Sequence, residues 1–150
     1  MGHVRVTAIF HNAVEYVRWM KGKLPEANVR RVEVESLVDT GATYPALPED
    51  LIRKLGLTFL REVSGEVAGG VAKLRLYGLT IVQIEDRIAG CPVIERPRGM
   101  APVIGVVALE QMGFRVDPAT GKLIKGLPLM LNLAVECAKN LNYPMLEERG

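Results

Sequence analysis

The stretch Val32-Glu33-Val34-Glu35-Ser36-Leu37-Val38-Asp39-Thr40-Gly41-Ala42 decides how this chain is read. Val32 to Glu35 alternate apolar and acidic residues, the pattern of a strand with one face turned to a core. The alternation runs into Leu37-Val38-Asp39, so a strand anchored by two apolar residues ends on a carboxylate. Thr40 supplies a hydroxyl that can hold the following loop, and Gly41 lets a backbone N–H approach the carboxylate closely. Asp-Thr-Gly at a strand end is also an ordinary turn, in which Asp bonds the backbone two residues on. The tripeptide alone leaves both readings open.

Working outward, Val4 to Phe10 reads as a half-exposed strand. Ala13 to Lys21 carries Val14, Val17 and Met20 at helical spacing, which predicts a short amphipathic helix anchored by Trp19. Beyond Ala42, a turn-rich passage with Pro45 and Pro48 leads into Glu49 to Leu55, a predicted helix with acids in its first turn, bases in its last, and Gly56 as its stop. Leu57 to Val63 and Val71 to Tyr77 are strand-like, with Gly69-Gly70 suited to the hairpin turn between them. Leu79 to Ile84 and Cys91 to Ile94 give two more strands, and Pro97-Arg98-Gly99 a surface loop. Phe114 to Val116 and Lys122 to Ile124 flank Asp117-Pro118-Ala119-Thr120-Gly121, a hairpin turn in which Pro and Gly each fix an angle. Pro128 to Leu141 reads as a terminal helix, and no linker divides the chain.

Composition narrows the classes. Lys+Arg 19 against Asp+Glu 17 leaves a net charge of +2 over 150 residues, too little for a dedicated nucleic-acid binder. With 49% hydrophobic and only 5% aromatic residues, the core must be aliphatic, and stacking platforms for single strands are not expected. No stretch reaches the roughly 18 apolar residues of a membrane span, and the N-terminus lacks a signal-peptide pattern, so a cytoplasmic protein without membrane contact is expected. Cys91 and Cys137 form no C-x-x-C pair and predict neither a disulfide framework nor a zinc site. His3 and His11 would sit roughly 26 Å apart on one strand and cannot share a metal. No metal or cofactor is expected. The basic residues Arg18, Lys21, Lys23, Arg30 and Arg31 read as a solvated face.

Leu37-Val38-Asp39-Thr40-Gly41 followed by Ile52-Arg53-Lys54-Leu55-Gly56-Leu57 has a weaker echo in Val103-Ile104-Gly105 followed by Leu109-Glu110-Gln111-Met112-Gly113-Phe114. Each reads as an apolar pair, a glycine turn and a short helix stopped by glycine, which suggests two related halves. Only the first carries an acid.

Leu37-Val38-Asp39-Thr40-Gly41-Ala42-Thr43, the Leu-Pro-x-x-Leu at 47 to 51, the hairpin around Ala68-Gly69-Gly70, and Pro102-Val103-Ile104-Gly105 leading to a second short helix occur in an order that resembles the retropepsin-like aspartic proteases, the small single-domain prokaryotic members in particular. The resemblance covers roughly residues 3 to 124. It implies an all-β fold, a closed acid-protease-type barrel with short helices. Residues 1–124 would form that domain, with an inserted segment near 12–27, and 125–150 an added C-terminal helical extension. It implies a catalytic loop of Asp39, Thr40 and Gly41, a substrate groove bordered by Ala42, and a flap tip of Ala68, Gly69 and Gly70. Two carboxylates sharing a proton are needed for this chemistry, and Asp50, Asp86 and Asp117 begin no second Asp-Thr/Ser-Gly. The resemblance therefore implies a homodimer with one Asp39 from each subunit, acting on an extended peptide or unfolded protein. A catalytically inactive module that keeps the fold for dimerisation or peptide binding is the alternative reading.

Overall fold

The computed structural model describes residues 4–128 and Leu146. The terminal helix expected over Pro128 to Leu141 falls beyond residue 128, and His3 and Cys137 likewise lie outside the described residues. Among the described residues no helix is long and apolar enough to cross a membrane, and the fold is mostly β.

Nine strands and three α-helices follow in the order β1 (Val4–Asn12), α1 (Ala13–Met20), β2 (Arg31–Val38), β3 (Ala46–Pro48), α2 (Glu49–Leu55), β4 (Thr58–Val67), β5 (Gly70–Ile84), β6 (Arg87–Arg96), β7 (Val103–Ile104), α3 (Val106–Met112), β8 (Phe114–Val116) and β9 (Leu123–Lys125), with a 3-10 turn at Glu26–Asn28. Seven strands make one sheet in the order β1-β2-β7-β3-β6-β5-β4, and β1 also pairs with β5. The pairings therefore run from β1 round through β2, β7, β3, β6 and β5 and back to β1. Ala8 and Phe10 of β1, Val38 of β2, Leu47 of β3, Val82 and Ile84 of β5, Val93 of β6 and Ile104 of β7 fill the interior. Ile52 and Leu55 of α2 and Ala108, Leu109 and Met112 of α3 complete the same cluster. Each Val, Leu, Ile, Phe or Met among them contributes about 1.5–3 kcal/mol by leaving water, and this largely aliphatic packing is what fixes the strand ends.

Several expectations shift in detail. Leu79 to Ile84 is the second half of β5, one strand of 15 residues. Ser64 to Val67 extends β4, so Val67 pairs with Gly70, and the tight turn is Ala68-Gly69 rather than Gly69-Gly70. Gly69 takes φ +92° there, a value that glycine adopts without steric cost. Ala46 to Pro48, between two prolines, is an edge-length strand and not only turn. Val14 and Met20 are 66% and 56% exposed, so α1 seats itself through Ala13, Tyr16 and Trp19, and its aliphatic stripe faces outward. The repeat holds at the helices: Gly56 and Gly113 both adopt left-handed backbone, and each donates its N–H back to the last helical turn. The halves differ because a loop and β3 separate Asp39 from α2, whereas Gly105 leads directly into α3.

Arg87 ties the second half together. Its guanidinium Nη1 donates to Met112 O at 2.9 Å and to Gly126 O at 2.7 Å, and it stacks over the Phe114 ring at 5.2 Å. Carbonyls at the end of α3 have no helical partner. Arg87→Met keeps the aliphatic stem and removes the donors, and we expect it to cost about 2 kcal/mol, read as a lower urea midpoint with an unchanged slope.

Candidate active site

Asp39 follows the last residue of β2, and its position is set from both sides. Its backbone N–H donates to Ile104 O at 3.0 Å, while Leu37 N–H donates to Pro102 O at 2.8 Å. β7 is thus inserted between β2, to which it is parallel, and β3, to which it is antiparallel. The loop that leaves Asp39 closes immediately: Ala42 N–H donates to Asp39 O at 3.1 Å. It then docks on the start of α3, where Val106 N–H donates to Ala42 O at 2.7 Å and Val107 N–H to Thr43 O at 3.3 Å.

The carboxylate itself is exposed. Its Oδ1 accepts from Gly41 N–H at 2.9 Å, and a Cβ built on Gly41 would lie 3.2 Å from that same oxygen. Gly41 therefore gives the close approach that the sequence predicts. Oδ2 has no hydrogen-bond or ion-pair partner among the described residues, so one oxygen is held and the other is unbonded there. Thr40 is exposed, and its hydroxyl bonds nothing among the described residues. Ala42 is half-buried against the α3 start.

The other aspartates are spent elsewhere. Asp50 lies in the first turn of α2, Asp86 pairs with Lys125 at 3.2 Å, and Asp117 accepts from Ala119 N–H and Thr120 Oγ1, each at 2.9 Å. The described residues of one chain thus bring a single carboxylate to this loop. Ala68, Gly69 and Gly70 lie exposed at the tip of the β4–β5 hairpin, and no hydrogen bond joins that tip to the Asp39 loop. The hairpin has two distinct faces. Glu62, Ser64, Glu66, Lys73 and Arg75 alternate on the outer one, and Val63, Gly65, Val67, Ala72 and Leu74 on the other, as the registers Glu62↔Arg75 and Val63↔Leu74 require.

Among the described residues no group of His, Cys, Asp and Glu could hold a metal ion. Cys91 is buried, and burial pushes its thiol up to about 11, which leaves it protonated and unreactive. The sequence missed β3 and the docking of Ala42 and Thr43 on α3. The signal for the strand was the apolar pair Ala46-Leu47 between Pro45 and Pro48, since proline is tolerated at strand ends.

No curated protein matches the chain. A family model does match, over residues 26–111, a span that holds Asp39, its loop, the hairpin and β7. That span is more than half of the 150 residues, and the chain belongs to the family it describes, "gag-polyprotein putative aspartyl protease".

Proposed function

We propose that the protein is an aspartic endopeptidase that works as a homodimer, with the ring of strand pairings forming a closed retropepsin-type barrel in each subunit. The observation that carries this reading is the exposed Asp39 carboxylate, one oxygen held by Gly41 N–H and the other unbonded among the described residues, which bring no second acid to that loop. Two such loops across a twofold axis would bring two carboxylates together. At ~3 Å like charges cannot both ionise, so the pair keeps one proton. The ionised member takes a proton from a water that attacks the peptide carbonyl. The protonated member donates to the carbonyl oxygen as it becomes tetrahedral, and a proton then passes to the leaving amine.

The remaining assignments follow from the same arrangement. Thr40, whose hydroxyl bonds nothing among the described residues, links the two loops. Gly41 holds its carboxylate in place, and Ala42 borders the groove. Ala68, Gly69 and Gly70 close over an extended peptide and bond its main chain.

Mixing subunits tests the shared dyad. When wild-type and Asp39→Asn chains are refolded together in equal amounts, at the same total chain concentration as a wild-type control, only dimers with two aspartates act, and about a quarter of the control's activity should remain. Half the activity would mean that each chain carries a complete site, and the dyad reading would be wrong.

A further inference from the structure

His11 occupies β1 with 3% of its surface exposed, far from the catalytic loop. β1 runs antiparallel to β2, with Val4 opposite Val38 and His11 opposite Arg31, so about 23 Å of strand separates His11 from the Asp39 end at ~3.3 Å per residue. His11 Nε2 lies 2.9 Å from Gln83 Oε1. Gln83 Nε2 donates to Glu85 O at 3.0 Å, which fixes the amide orientation and makes Oε1 the acceptor. His11 Nε2 must then carry the proton of the neutral ring, and Nδ1 is left as a bare acceptor. Nδ1 is buried and has no hydrogen-bond partner among the described residues.

Among the described residues the elements packed on the ring offer no hydrogen-bond acceptor to a second proton. From α1 comes the Tyr16 ring, edge-on at 5.0 Å. From β5 come Gln83, already committed, and the aliphatic Ile81. From β2 come Arg31, a like charge whose own partner is Glu26 at 3.8 Å, and, on the same face opposite Ile9, the exposed Glu33, which makes no hydrogen bond or ion pair with the ring. The nearby Glu15 of α1 is held by Arg30 through hydrogen bonds of 2.9 to 3.2 Å. A proton on Nδ1 would be a buried donor without an acceptor, on a cation facing Arg31.

α1 itself has little grip on the body. Ala13 is its one buried residue. Tyr16 seated on His11, the half-buried Trp19 beside Tyr16, the Asn12 cap on Glu15 N–H, and the Glu15–Arg30 pair are its other holds. We propose that His11 is a pH-sensitive latch beneath α1: neutral, it seats Tyr16 and closes the helix over the β1–β5 seam, and protonated, it releases the helix while the Asp39 end of β1 stays paired. This goes beyond the peptidase reading and does not depend on it, since α1 precedes the matched span of residues 26–111.

The sign follows from linkage. Burial, assisted by Arg31 and opposed by the Gln83 bond, holds the imidazole below its ordinary 6.5. The closed state thus binds the proton less well than the open one, so closure is complete above 6.5 and is lost as pH falls below it. Arg30 keeps the Glu15 carboxyl below its usual range, so that pair stays charged throughout this window.

Trp19 is the only tryptophan in the chain and packs edge-on against Tyr16 at 5.4 Å, which makes its emission a reporter of the latch. Hydrogen exchange of residues 13–20, corrected for intrinsic rate, should rise as pH falls from 7.5 to 5, by up to about thirtyfold at pH 5 for a group opening at its ordinary value. Trp19 emission should shift over the same range, while exchange in the β4–β5 hairpin should not. His11→Gln keeps a donor for Gln83 and cannot titrate, and its α1 should be flat with pH. A wild-type α1 equally protected at pH 5 and 7.5, or a His11→Gln protein that follows the wild-type curve, overturns the proposal. An NMR titration of wild type, with His3→Gln to assign the two rings, guards against a poorly folded variant: a midpoint at or above 6.5 for His11 overturns the latch, and one below it that coincides with the Trp19 shift supports it.

Discussion

Asp39→Asn should lower peptide hydrolysis by at least about a thousandfold, within the range that a positioned acid or base contributes, and leave the fold intact. The two effects separate because of how the carboxylate is held. Oδ1 accepts from Gly41 N–H at 2.9 Å, and the amide oxygen of Asn can accept from the same donor in the same rotamer. The backbone bonds of the turn, Asp39 N–H to Ile104 O and Ala42 N–H to Asp39 O, do not involve the side chain at all. Asn therefore preserves the loop, and stability should change by less than about 1 kcal/mol. The chemistry of the proposed dyad does not survive, because an amide can neither take a proton from water nor share one with a second carboxylate. The measurement is cleavage of an unfolded-protein or mixed-peptide substrate between about pH 3 and 7, beside a urea titration of both proteins. Equal cleavage by the two would sink the peptidase reading. Lost cleavage with an equally lowered urea midpoint would mean that Asp39 serves the fold.

How much of this was readable beforehand depended on whether a feature is local. β2 ends where the Val32 to Val38 pattern says, because alternation and two terminal apolar residues are enough to bury one face. α2 and α3 end at Gly56 and Gly113 because a left-handed cap is a one-residue signal. The break expected between Tyr77 and Leu79 is found only as a register shift of the β5–β6 pairing between Tyr77 and Thr80, within one continuous strand. β5 changes partners along its length, pairing with β4 up to Gly78 and with β1 from Thr80, and no local pattern reports such an exchange. The outward stripe of α1 is similar: periodicity found the helix, but the aromatic pair Tyr16 and Trp19 outweighed three aliphatic residues in choosing the buried side. At the site, Asp39 and Gly41 were legible from the tripeptide. The docking of Ala42 and Thr43 on α3 was not, since it joins residues more than sixty positions apart through backbone atoms, which carry no side-chain signature.

That docking makes Gly105→Ala the second large effect. Gly105 has φ −87°, which any residue adopts, so its role is space and not backbone freedom. A Cβ there would lie 2.7 Å from both Ala42 O and Thr43 O and 2.8 Å from Tyr44 C. These are main-chain atoms in a loop fixed at one end by β2 and at the other by Pro45, whose carbonyl accepts from Ile94 N–H at 2.9 Å. They cannot rotate away as a flexible side chain would. The loop must shift, and in shifting it loses the bonds from Val106 and Val107 N–H. Overpacking together with lost hydrogen bonds should cost about 3 kcal/mol, or roughly 10 °C in Tm for a domain of this size. Activity should fall further than stability requires, because Asp39 hangs from Ile104 O, the residue just before the added methyl, and a displacement of about 1 Å can cost a hundredfold in rate. Gly90→Ala is the control: its Cβ would meet only Ile81 Cδ1 at 3.7 Å, an ordinary contact, and its stability should stay within about 0.5 kcal/mol of wild type. If Gly105→Ala and Gly90→Ala melt together and cleave alike, the loop has slack, and the placement of Asp39 by β7 and α3 would have to be abandoned.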